Sequence, residues 1–462
     1  MSDTPVAIGS DRQLLLDHRL IGQLQDARQV LHRPVRRNAI VRRDRPWEEG
    51  GLAYAVLFKD GDRFRAWYRC IPHADNNKTG QACTAYIESR DGITWEKPSL
   101  GLINFQGSTN NNLIIDDPHL VNFAPFLDPQ APEQERYKGI GRHGAIYTAT
   151  SPDGLSWHKN PTPVQDEGPF DSHNIAFRDP WTGQYVMYTR GIRRDGQLGH
   201  GATRAFKDGV RWIRRATSDD FVHWSPLEPI TTGEAPLEHF YTNSCVPYPR
   251  SPGLYLMFPS RFVDGRTPIP DWPYPGVNDA VLMSSRDGLH FDRLFPEAFV
   301  RPGPDPDNWH ERSIYIMRGL LQTGPAELSL YMTEHWRLTT TCIRRLTMRL
   351  DGFASVQGPY RGGQFTTKPL IFSGNQLRLN MSTSAAGSIR VEVQDEHGKP
   401  LPGLGLEDSP ELFQDQIDLA VQWKSGADLG SLAGTPVRLR FVLYDADLYA
   451  LRFCDETEAG DQ

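Results

Sequence analysis

Four carboxylate residues stand at or shortly before the predicted starts of β-strands in separate segments of the chain: Asp171, Glu238, Glu311 and Glu48. Cleavage of a glycosidic bond requires two carboxyl groups on opposite sides of the bond, one protonated and one ionised. We expect the first two to form the principal catalytic pair, with the last two as third and fourth carboxylates. Crowded like charges beside apolar side chains would raise the pKa of at least one, as a general acid requires. The structural alternative for any single carboxylate is an ion pair with an arginine.

Polar and aromatic side chains recur beside these carboxylates. Asparagine occupies matching positions in three predicted strand starts, at Asn122, Asn174 and Asn243. Histidine, tyrosine and tryptophan also occur in the predicted strand starts, at His173, His239, Tyr241 and Trp309. Amide and imidazole groups hydrogen-bond hydroxyls, and the indole of Trp309 or Trp47 would stack on a sugar ring. We predict that this set binds the substrate.

Arginine recurs at the predicted ends of second strands. Three copies follow an aromatic residue by five positions and the fourth is one position out of that register: Arg69, Arg142, Arg190 and Arg261. They would converge at one mouth of the fold. One interpretation is that they neutralise the neighbouring carboxylates. The other is a pocket for a sugar that carries a carboxylate, sulfate or phosphate group.

A repeated motif organises the elements that carry these residues. Ser-x-Asp-Gly-x-x-Trp occurs at residues 89–95 and 151–157, with variants at 218–224 and 285–291 and a weaker copy at 350–353. The aspartates are spaced by 62, 67, 67 and 64 residues. Each motif lies between extended apolar runs, where Asp would accept turn N–H groups, Gly would take a positive φ and Trp would pack the outer strands. A period of this length predicts five four-stranded sheets.

The predicted fold is therefore all-β, a five-bladed β-propeller followed by a β-sandwich. We divide the chain into an N-terminal segment (1–45), the propeller (46–356) and the sandwich (365–455), with the second boundary in the linker-like 356–364. No long amphipathic helix is evident, and 11–24 is the one short helical candidate. In a propeller blade, the start of the first strand and the end of the second share a face, which is where the candidate residues meet.

At the level of architecture the chain resembles the five-bladed propeller glycoside hydrolases of families 32, 43, 68 and 130. The five-fold repeat, the segment 218–224 and a trailing sandwich similar to that of family 32 carry the resemblance. The resemblance implies inward carboxylates from different blades. Phe177-Arg178-Asp179-Pro180 spells the family 32 stabiliser motif, but it falls where a turn between first and second strands is expected, so we assign Asp179 to that turn. The early Asn-Asp-Pro signature is absent and Ser244-Cys245 replaces a Glu-Cys pair, which argues against fructans.

The composition and charge of the chain argue against some classes of binding partner. A formal net charge of −7 and a pI near 6.1 argue against nucleic acid, and no segment has the length of a membrane span. Five cysteines without metal-type spacing indicate neither a disulfide framework nor a zinc site, so we expect no metal and no cofactor. The first sixteen residues do not resemble a signal peptide, which predicts a cytoplasmic protein. The predicted partner is a carbohydrate substrate.

The hypothesis is a glycosidase acting on an anionic or furanosidic sugar. Two alternatives remain open at this point. A glycoside phosphorylase of the family 130 type would use one carboxylate and would hold phosphate with arginine and histidine. A non-catalytic glycan-binding propeller would bind sugar with its carboxylates dispensable.

Overall fold

The structure is a computed structural model that describes residues 4–72, 82–194, 197–198, 209–426 and 428–455. This part of the chain contains 35 strands and no α-helix. Its helical elements are single 3-10 turns at Pro46–Glu48, Pro118–Leu120, Glu133–Glu135, Pro306–Asn308 and Gly430–Leu432. The predicted all-β class is confirmed.

Both ends of the chain meet in a ten-stranded sheet. Its N-terminal strands are β1 (Val6–Gly9), β2 (Gln13–Leu14), β3 (Ile21–Gln25) and β4 (Arg28–Leu31). Its C-terminal strands are β30 (Ala354–Gly358), β31 (Gly363–Thr367), β32 (Leu370–Phe372), β33 (Gln376–Asp395), β34 (Gln416–Ala420) and β35 (Val437–Cys454). Fully buried side chains such as Leu379, Val391 and Phe441 form its core. The strands predicted as a sandwich are thus joined by hydrogen bonds into one sheet, and the two-sheet sandwich remains a prediction.

The helix predicted near residues 11–24 is wrong. Gln13 and Leu14 pair with Leu451 and Ala450 of β35, and β3 pairs with β31. The three leucines at 14–16 alternate between two cores: Leu14 and Leu16 face one, and Leu15 faces the core of the ten-stranded sheet. Side chains that alternate at every residue belong to extended backbone, so two buried faces decided the conformation of this leucine run.

Six smaller antiparallel sheets fill the middle of the chain. The first two are β6 (Gly51–Asp60), β7 (Arg63–Ile71), β8 (Cys83–Ser89) and β9 (Leu113–Ile115), then β10 (Val121–Leu127), β11 (Tyr137–His143), β12 (Ala145–Ser151) and β13 (His158–Lys159). The third is β14 (Ile175–Arg178), β15 (Tyr185–Arg194), β16 (Gln197–Leu198), β17 (Val210–Ser218) and β18 (Glu228–Pro229).

The segment that follows forms two small sheets rather than one. They are β19 (His239–Phe240), β22 (Ser260–Val263) and β23 (Val277–Ala280), and β20 (Val246–Pro247), β21 (Tyr255–Met257), β24 (Met283–Ser285) and β25 (Phe291–Asp292). The last sheet holds β26 (Tyr315–Ile316), β27 (Leu321–Gly324), β28 (Glu327–Glu334) and β29 (Cys342–Arg349), and its outer strand is β5 (Val35–Arg42) from the N-terminal part of the chain. The stretch predicted as an N-terminal segment is therefore divided between two sheets.

The repeated motif forms the turn that the sequence predicts. In the first copy, Asp91 Oδ1 accepts hydrogen bonds from the N–H groups of Ile93 and Thr94 at 2.7 Å, and Gly92 has φ +70°. The copies at Asp153, Asp220 and Asp287 make the same pair of bonds. The tryptophans of the first three copies are half-buried rather than fully buried, and each indole N–H donates to the carbonyl three residues before it.

These turns also connect neighbouring sheets. The carbonyl of Gly92 accepts from Tyr331 Oη of β28 at 2.5 Å, that of Gly154 from Trp67 Nε1 of β7 at 2.8 Å, and that of Gly288 from Tyr188 Oη of β15 at 2.5 Å. The first bond joins the β26–β29 sheet to the β6–β9 sheet, which lie at opposite ends of this part of the sequence. The weak copy at 350–353 differs, because its Asp351 has φ +62° and the chain continues into the ten-stranded sheet.

Candidate functional site

A cleft of about 640 Å³ lies at the start of β26. Its walls come from the segment before β14, from β17, β19 and β22, and from the residues before β26. The lining residues are Asp171, Gly209, Val210, Arg211, His239, Tyr241, Phe262, Asp264, Tyr274, Pro275, Glu311 and Arg312. Four of the residues predicted from the sequence, Asp171, His239, Tyr241 and Glu311, are among them.

Asp171 is the member of the predicted principal pair that lines the cleft. Its side chain is 34% exposed and forms an ion pair with the buried guanidinium of Arg190. Arg190 also donates to the carbonyl oxygen of Tyr241 at 2.8 Å, and Arg142 donates to the carbonyl oxygen of Asp171 at 3.2 Å. Two arginines therefore fix the position of Asp171 while its carboxylate remains accessible from the cleft.

Glu311 is the buried carboxylate of the cleft, with a side chain only 4% exposed. It accepts hydrogen bonds from Trp272 Nε1 at 2.8 Å, Arg337 Nε at 2.5 Å and Arg312 Nη2 at 3.3 Å. Burial alone would raise the pKa of Glu311, but the bonds from His310 and Trp272 and the arginine charges hold it below its usual range. Crowding of like charges was expected to raise a carboxyl pKa, but at Glu311 the cause that raises it is burial, and the donors and arginine charges outweigh that burial.

Three tyrosines form an aromatic cluster beside the carboxylates. Tyr315 lies against Tyr54 and Tyr241, with ring centroids 5.3 Å and 5.5 Å away. Burial alone would raise the pKa of Tyr241, but the charges of Arg312 and Arg190 and a hydrogen bond with Tyr54 lower it. Burial raises the pKa values of Tyr54 and Tyr315. Tyr241 is therefore the phenol of this cluster with the lowered pKa.

The two predicted histidines occupy different environments. His239 lines the cleft, and its Nδ1 accepts a hydrogen bond from the Arg211 N–H at 3.2 Å. Burial and then the charge of Arg211 lower the pKa of His239. His173 is buried and stacks on Tyr54 at 5.4 Å. Burial, followed by the charge of Arg318, lowers the pKa of His173 to about 3, so the ring is neutral at ordinary pH.

The three predicted asparagines are buried and lie outside the cleft lining. Asn122 Nδ2 donates to the carbonyl of Ser172 at 3.2 Å, and Asn174 Oδ1 accepts from the Arg190 N–H at 3.2 Å. Asn243 Oδ1 accepts from the Cys245 N–H at 3.2 Å. Their recurrence is explained by these contacts to backbone groups, which position the strand starts.

Several predicted site residues have other partners and do not line this cleft. Glu238 is bound by Arg261 Nη1 at 3.0 Å and Arg293 Nη1 at 2.6 Å. Glu48 is fully buried, and its carboxylate accepts from Lys97 Nζ at 2.7 Å and 2.8 Å. Trp309 is 39% exposed, and its indole N–H donates a hydrogen bond to the carbonyl of Gly303.

The predicted arginines divide into two kinds. Arg190 and Arg261 each pair with a carboxylate, and Arg261 is shared between Glu238 and Asp279. Arg69 forms no ion pair with a described carboxylate, and its guanidinium lies 5.9 Å from the ring centroid of Tyr54. Burial and then the charge of Arg142 lower the pKa of Arg69. The ion pairs of Arg190 and Arg261 fit the first interpretation, in which arginine neutralises carboxylates. None of the four predicted arginines lines the cleft, so the anionic pocket formed by them stays a prediction.

Asp179 occupies the predicted turn between β14 and β15. Its Oδ1 accepts from the Trp181 N–H at 2.9 Å, and its other oxygen accepts from Tyr255 Oη of the neighbouring sheet. It is fully buried and absent from the cleft lining. The assignment of Asp179 to this turn is confirmed.

Sequence reasoning missed several residues of the cleft and its surroundings: Tyr54, Arg211, Asp264, Arg312 and Tyr315. Arg312 has φ +60°, and its N–H donates to Asn278 Oδ1 at 2.5 Å. The positive φ of Arg312 and the burial of Glu311 are known only from the structure, so the one sequence signal for Arg312 was its position directly after Glu311. Tyr54, Tyr241 and Tyr315 all lie near starts of first strands, which was a second signal.

The described residues also include one group whose spacing would suit a metal ion. The ligand atoms of Asp305, Asp307 and His335 lie within 4.8 Å of one another. His335 Nε2 is 2.9 Å from Asp305 Oδ2, so two members of the group already contact each other. No helix in the described part of the chain is long and apolar enough to cross a membrane.

No family model matches the chain. The uncharacterized protein Rv1502 of Mycobacterium tuberculosis H37Rv is 30% identical over 118 residues, which cover 23% of this chain and 34% of that protein. MT1551 of M. tuberculosis CDC 1551 matches to the same extent. The match spans about a third of the length of these curated relatives.

Three similar solved structures have low sequence identity to this chain. A BT0996–RGII complex is 14% identical, covers 69% of this chain and 93% of the other, and has a TM-score of 0.47. The α-L-arabinofuranosidase Arb93A of Fusarium graminearum is 12% identical, with 70% and 99% covered and a TM-score of 0.41. A GH130 structure, from work on hydrolases that target β-1,2 mannosidic linkages in Candida mannan, is 14% identical, with 72% and 96% covered and a TM-score of 0.38.

Proposed function

We propose that the chain is a glycosidase whose active site is the cleft at the start of β26. The observation that carries this proposal is the meeting of Asp171 and Glu311 in one cleft, although 140 residues separate them in the chain. Two carboxyl groups that face one cavity are the minimum that hydrolysis of a glycosidic bond requires. The catalytic pair is thus Asp171 with Glu311, in place of Asp171 with Glu238.

The environments of the two carboxyl groups suggest different roles. Glu311 is surrounded by donors that favour its ionised form, which suits a nucleophile, a base or a group that stabilises an oxocarbenium-like transition state. Asp171 is more exposed, and to protonate the leaving oxygen it would have to take up a proton and give up its ion pair with Arg190, which favours the ionised form. Tyr241 lies with them in the lining, so its phenol would contact the sugar ring.

The substrate class follows from the guanidinium groups. Arg211 and Arg312 line the cleft itself, and Arg190 lies directly behind Asp171. A carboxylate, sulfate or phosphate on the sugar would receive charge-assisted hydrogen bonds from Arg211 and Arg312. We therefore favour an anionic glycoside as the substrate. The same two arginines would hold inorganic phosphate in a phosphorylase, which keeps that alternative in the test.

The proposal includes the architecture inferred from the repeat. The two sheets β19/β22/β23 and β20/β21/β24/β25 would together form one blade, so that the six small sheets make five blades. Strand β5 would close the ring as the outer strand of the last blade. The family 32-like sandwich and the domain limits 46–356 and 365–455 belong to the same proposal.

The test is an activity screen with aryl glycosides, comparing uronides, sulfated sugars, furanosides and neutral pyranosides. We expect turnover of an anionic glycoside in buffer without phosphate. Sugar phosphate formed only when inorganic phosphate is added would establish the phosphorylase instead. Calorimetric binding of a glycan without turnover, unchanged in Asp171→Asn and Glu311→Gln, would establish the non-catalytic glycan-binding protein.

A further inference from the structure

A second cleft lies at the opposite end of β26. It has a volume of about 730 Å³ and includes Arg318 and Gly319, which follow the strand, whereas Glu311 and Arg312 of the first cleft precede it. Most of its walls are apolar or backbone: Leu57, Phe58, Phe64, Val246, Pro247 and Leu320. The length of β26 therefore separates the two clefts.

Arg318 is the buried polar residue of this cleft. It is 8% exposed, and its buried Nε has no hydrogen-bond partner among the residues that the structure describes. Its guanidinium lies over the ring of Phe177, whose centroid is 5.3 Å away. A buried charge without a partner is unfavourable, because desolvation is not offset by hydrogen bonds.

The charge of the cleft has one sign. Its lining contains Arg318 and the exposed Lys59, and no aspartate or glutamate is part of the described lining. Burial lowers the pKa of Arg318 to about 10, which leaves the guanidinium charged at neutral pH. An anion that enters the cleft would therefore meet a positive field with no competing carboxylate.

The backbone holds Arg318 in this position. Its N–H donates to the carbonyl of Ala55 at 3.2 Å, and its carbonyl accepts from the Leu57 N–H at 2.8 Å. The next residue, Gly319, has φ +145°, and a Cβ there would lie 2.4 Å from the Leu57 carbonyl oxygen. Only glycine permits this close approach, so the connection between β26 and β27 that carries Arg318 is held against β6.

We propose that this cleft is a second ligand site, which binds a small amphipathic anion. The carboxylate, sulfonate or phosphate head would bind Arg318, with Lys59 at the rim. The apolar body would lie along Phe58, Phe64 and Leu320. The apolar walls distinguish this ligand from a bare inorganic ion, and the guanidinium without a carboxylate partner distinguishes it from a neutral apolar compound.

The test is isothermal titration calorimetry with octanoate. Octan-1-ol is the probe with the apolar body but no anionic head, and acetate is the probe with the anionic head but no long apolar body. We expect octanoate to bind with one-to-one stoichiometry and Arg318→Met to weaken it by at least about tenfold, as loss of a charge-assisted hydrogen bond implies. Leu320→Trp should weaken binding similarly by filling the cleft while Arg318 remains. Arg361→Met, which removes an exposed arginine elsewhere, should leave binding unchanged.

Three outcomes would overturn the proposal: octan-1-ol binding as tightly as octanoate, acetate binding as tightly as octanoate, or unchanged octanoate binding in both Arg318→Met and Leu320→Trp. Circular dichroism establishes that each variant is folded, and Leu320→Trp provides the test if Arg318→Met does not fold. The readout is binding, so the result does not depend on whether the first cleft has glycosidase activity.

Discussion

The two clefts at the ends of β26 differ in whether their arginines bind a carboxylate. In the first, Arg190 pairs with Asp171, and Arg312 and Arg337 bind Glu311. In the second, Arg318 has no carboxylate partner among the described residues. In the first cleft these three arginines therefore orient carboxylates, although Arg312 also lines the cavity, whereas Arg318 of the second cleft has no carboxylate to orient.

This difference separates two uses of the same side chain. An arginine held by a carboxylate loses part of its capacity to attract an anion but gives that carboxylate a defined position. A buried arginine without an ion pair lowers the stability of the folded protein. Binding of an anion to that arginine would restore the stability. The comparison can be tested by removing each kind of group in turn.

The largest expected effect is on turnover in the first cleft. Glu311→Gln should lower kcat by about 10²–10⁴, because the amide cannot act as an ionised carboxylate while it keeps the shape of the side chain. The measurement is steady-state kinetics with the glycoside identified by the screen. Glu133→Gln, an exposed carboxylate outside both clefts, is the matched control. Near-normal rates in both Glu311→Gln and Asp171→Asn would place the chemistry elsewhere.

The second effect concerns the substrate's charge. Arg312→Lys keeps the positive charge but loses the planar fork, so an anionic glycoside should bind about 10–100-fold more weakly. A neutral sugar of the same ring and linkage should bind the variant and the wild-type protein equally. Competition binding with the two sugars measures this difference. If both sugars lose affinity to the same extent, Arg312 holds the cleft together rather than selecting charge.

The third effect is on stability, and it contrasts the two buried arginines directly. Arg190→Met should lower the free energy of unfolding by about 1–3 kcal/mol, less than for a fully buried pair because a third of Asp171 is exposed. Arg318→Met should raise it, by at most about 1–3 kcal/mol, since it removes a buried charge without an ion pair but also removes the contact of the guanidinium with the Phe177 ring. Urea denaturation of both variants checks the sign. Loss of stability in both would mean that Arg318 has a partner in the folded protein.

The fourth effect is on the pH dependence of stability. His173 is neutral when folded, with a pKa of about 3, whereas its ordinary pKa is 6.5. As the pH falls below about 6.5 the unfolded chain takes up a proton that the folded protein does not, so this histidine lowers stability progressively down to about pH 3. His173→Gln should flatten the dependence over that interval, and exposed His397→Gln should not. Arg318→Met should raise the pKa of His173 measured by NMR, since its charge contributes to the shift.

The sequence predictions were accurate for features that depend on residues close together in the sequence and less accurate for features that depend on residues far apart in the sequence. The Ser-x-Asp-Gly turns were predicted correctly because Asp91, Ser89 and Gly92 interact within a few residues. The role of Asp179 was predicted for the same reason. The prediction of a helix at 11–24 was wrong because consecutive leucines have no hydrophobic periodicity that would distinguish a helix from a strand. Their alternate burial in two cores is apparent only in the structure.

The candidate site was predicted only in part. Position at a strand start selected Asp171 and Glu311, which line the cleft, but it also selected Glu238 and Glu48, whose partners come from other segments. Nothing local distinguishes a carboxylate that an arginine or lysine will cover from one that will face a cavity. The recurring asparagines were a true repeat, and their role in positioning backbone became apparent from their contacts.

The sequence by itself determined the all-β class, the repeated turns and the set of strand-start residues from which the site is drawn, because these depend on residue type and short-range spacing. Only the tertiary structure decided which carboxylates meet in one cleft, that β5 joins the β26–β29 sheet, and that Arg318 is buried without a carboxylate partner among the described residues. Ion pairing and burial depend on side chains far apart in the sequence, so packing between sheets, rather than local pattern, selects the residues that remain available for chemistry.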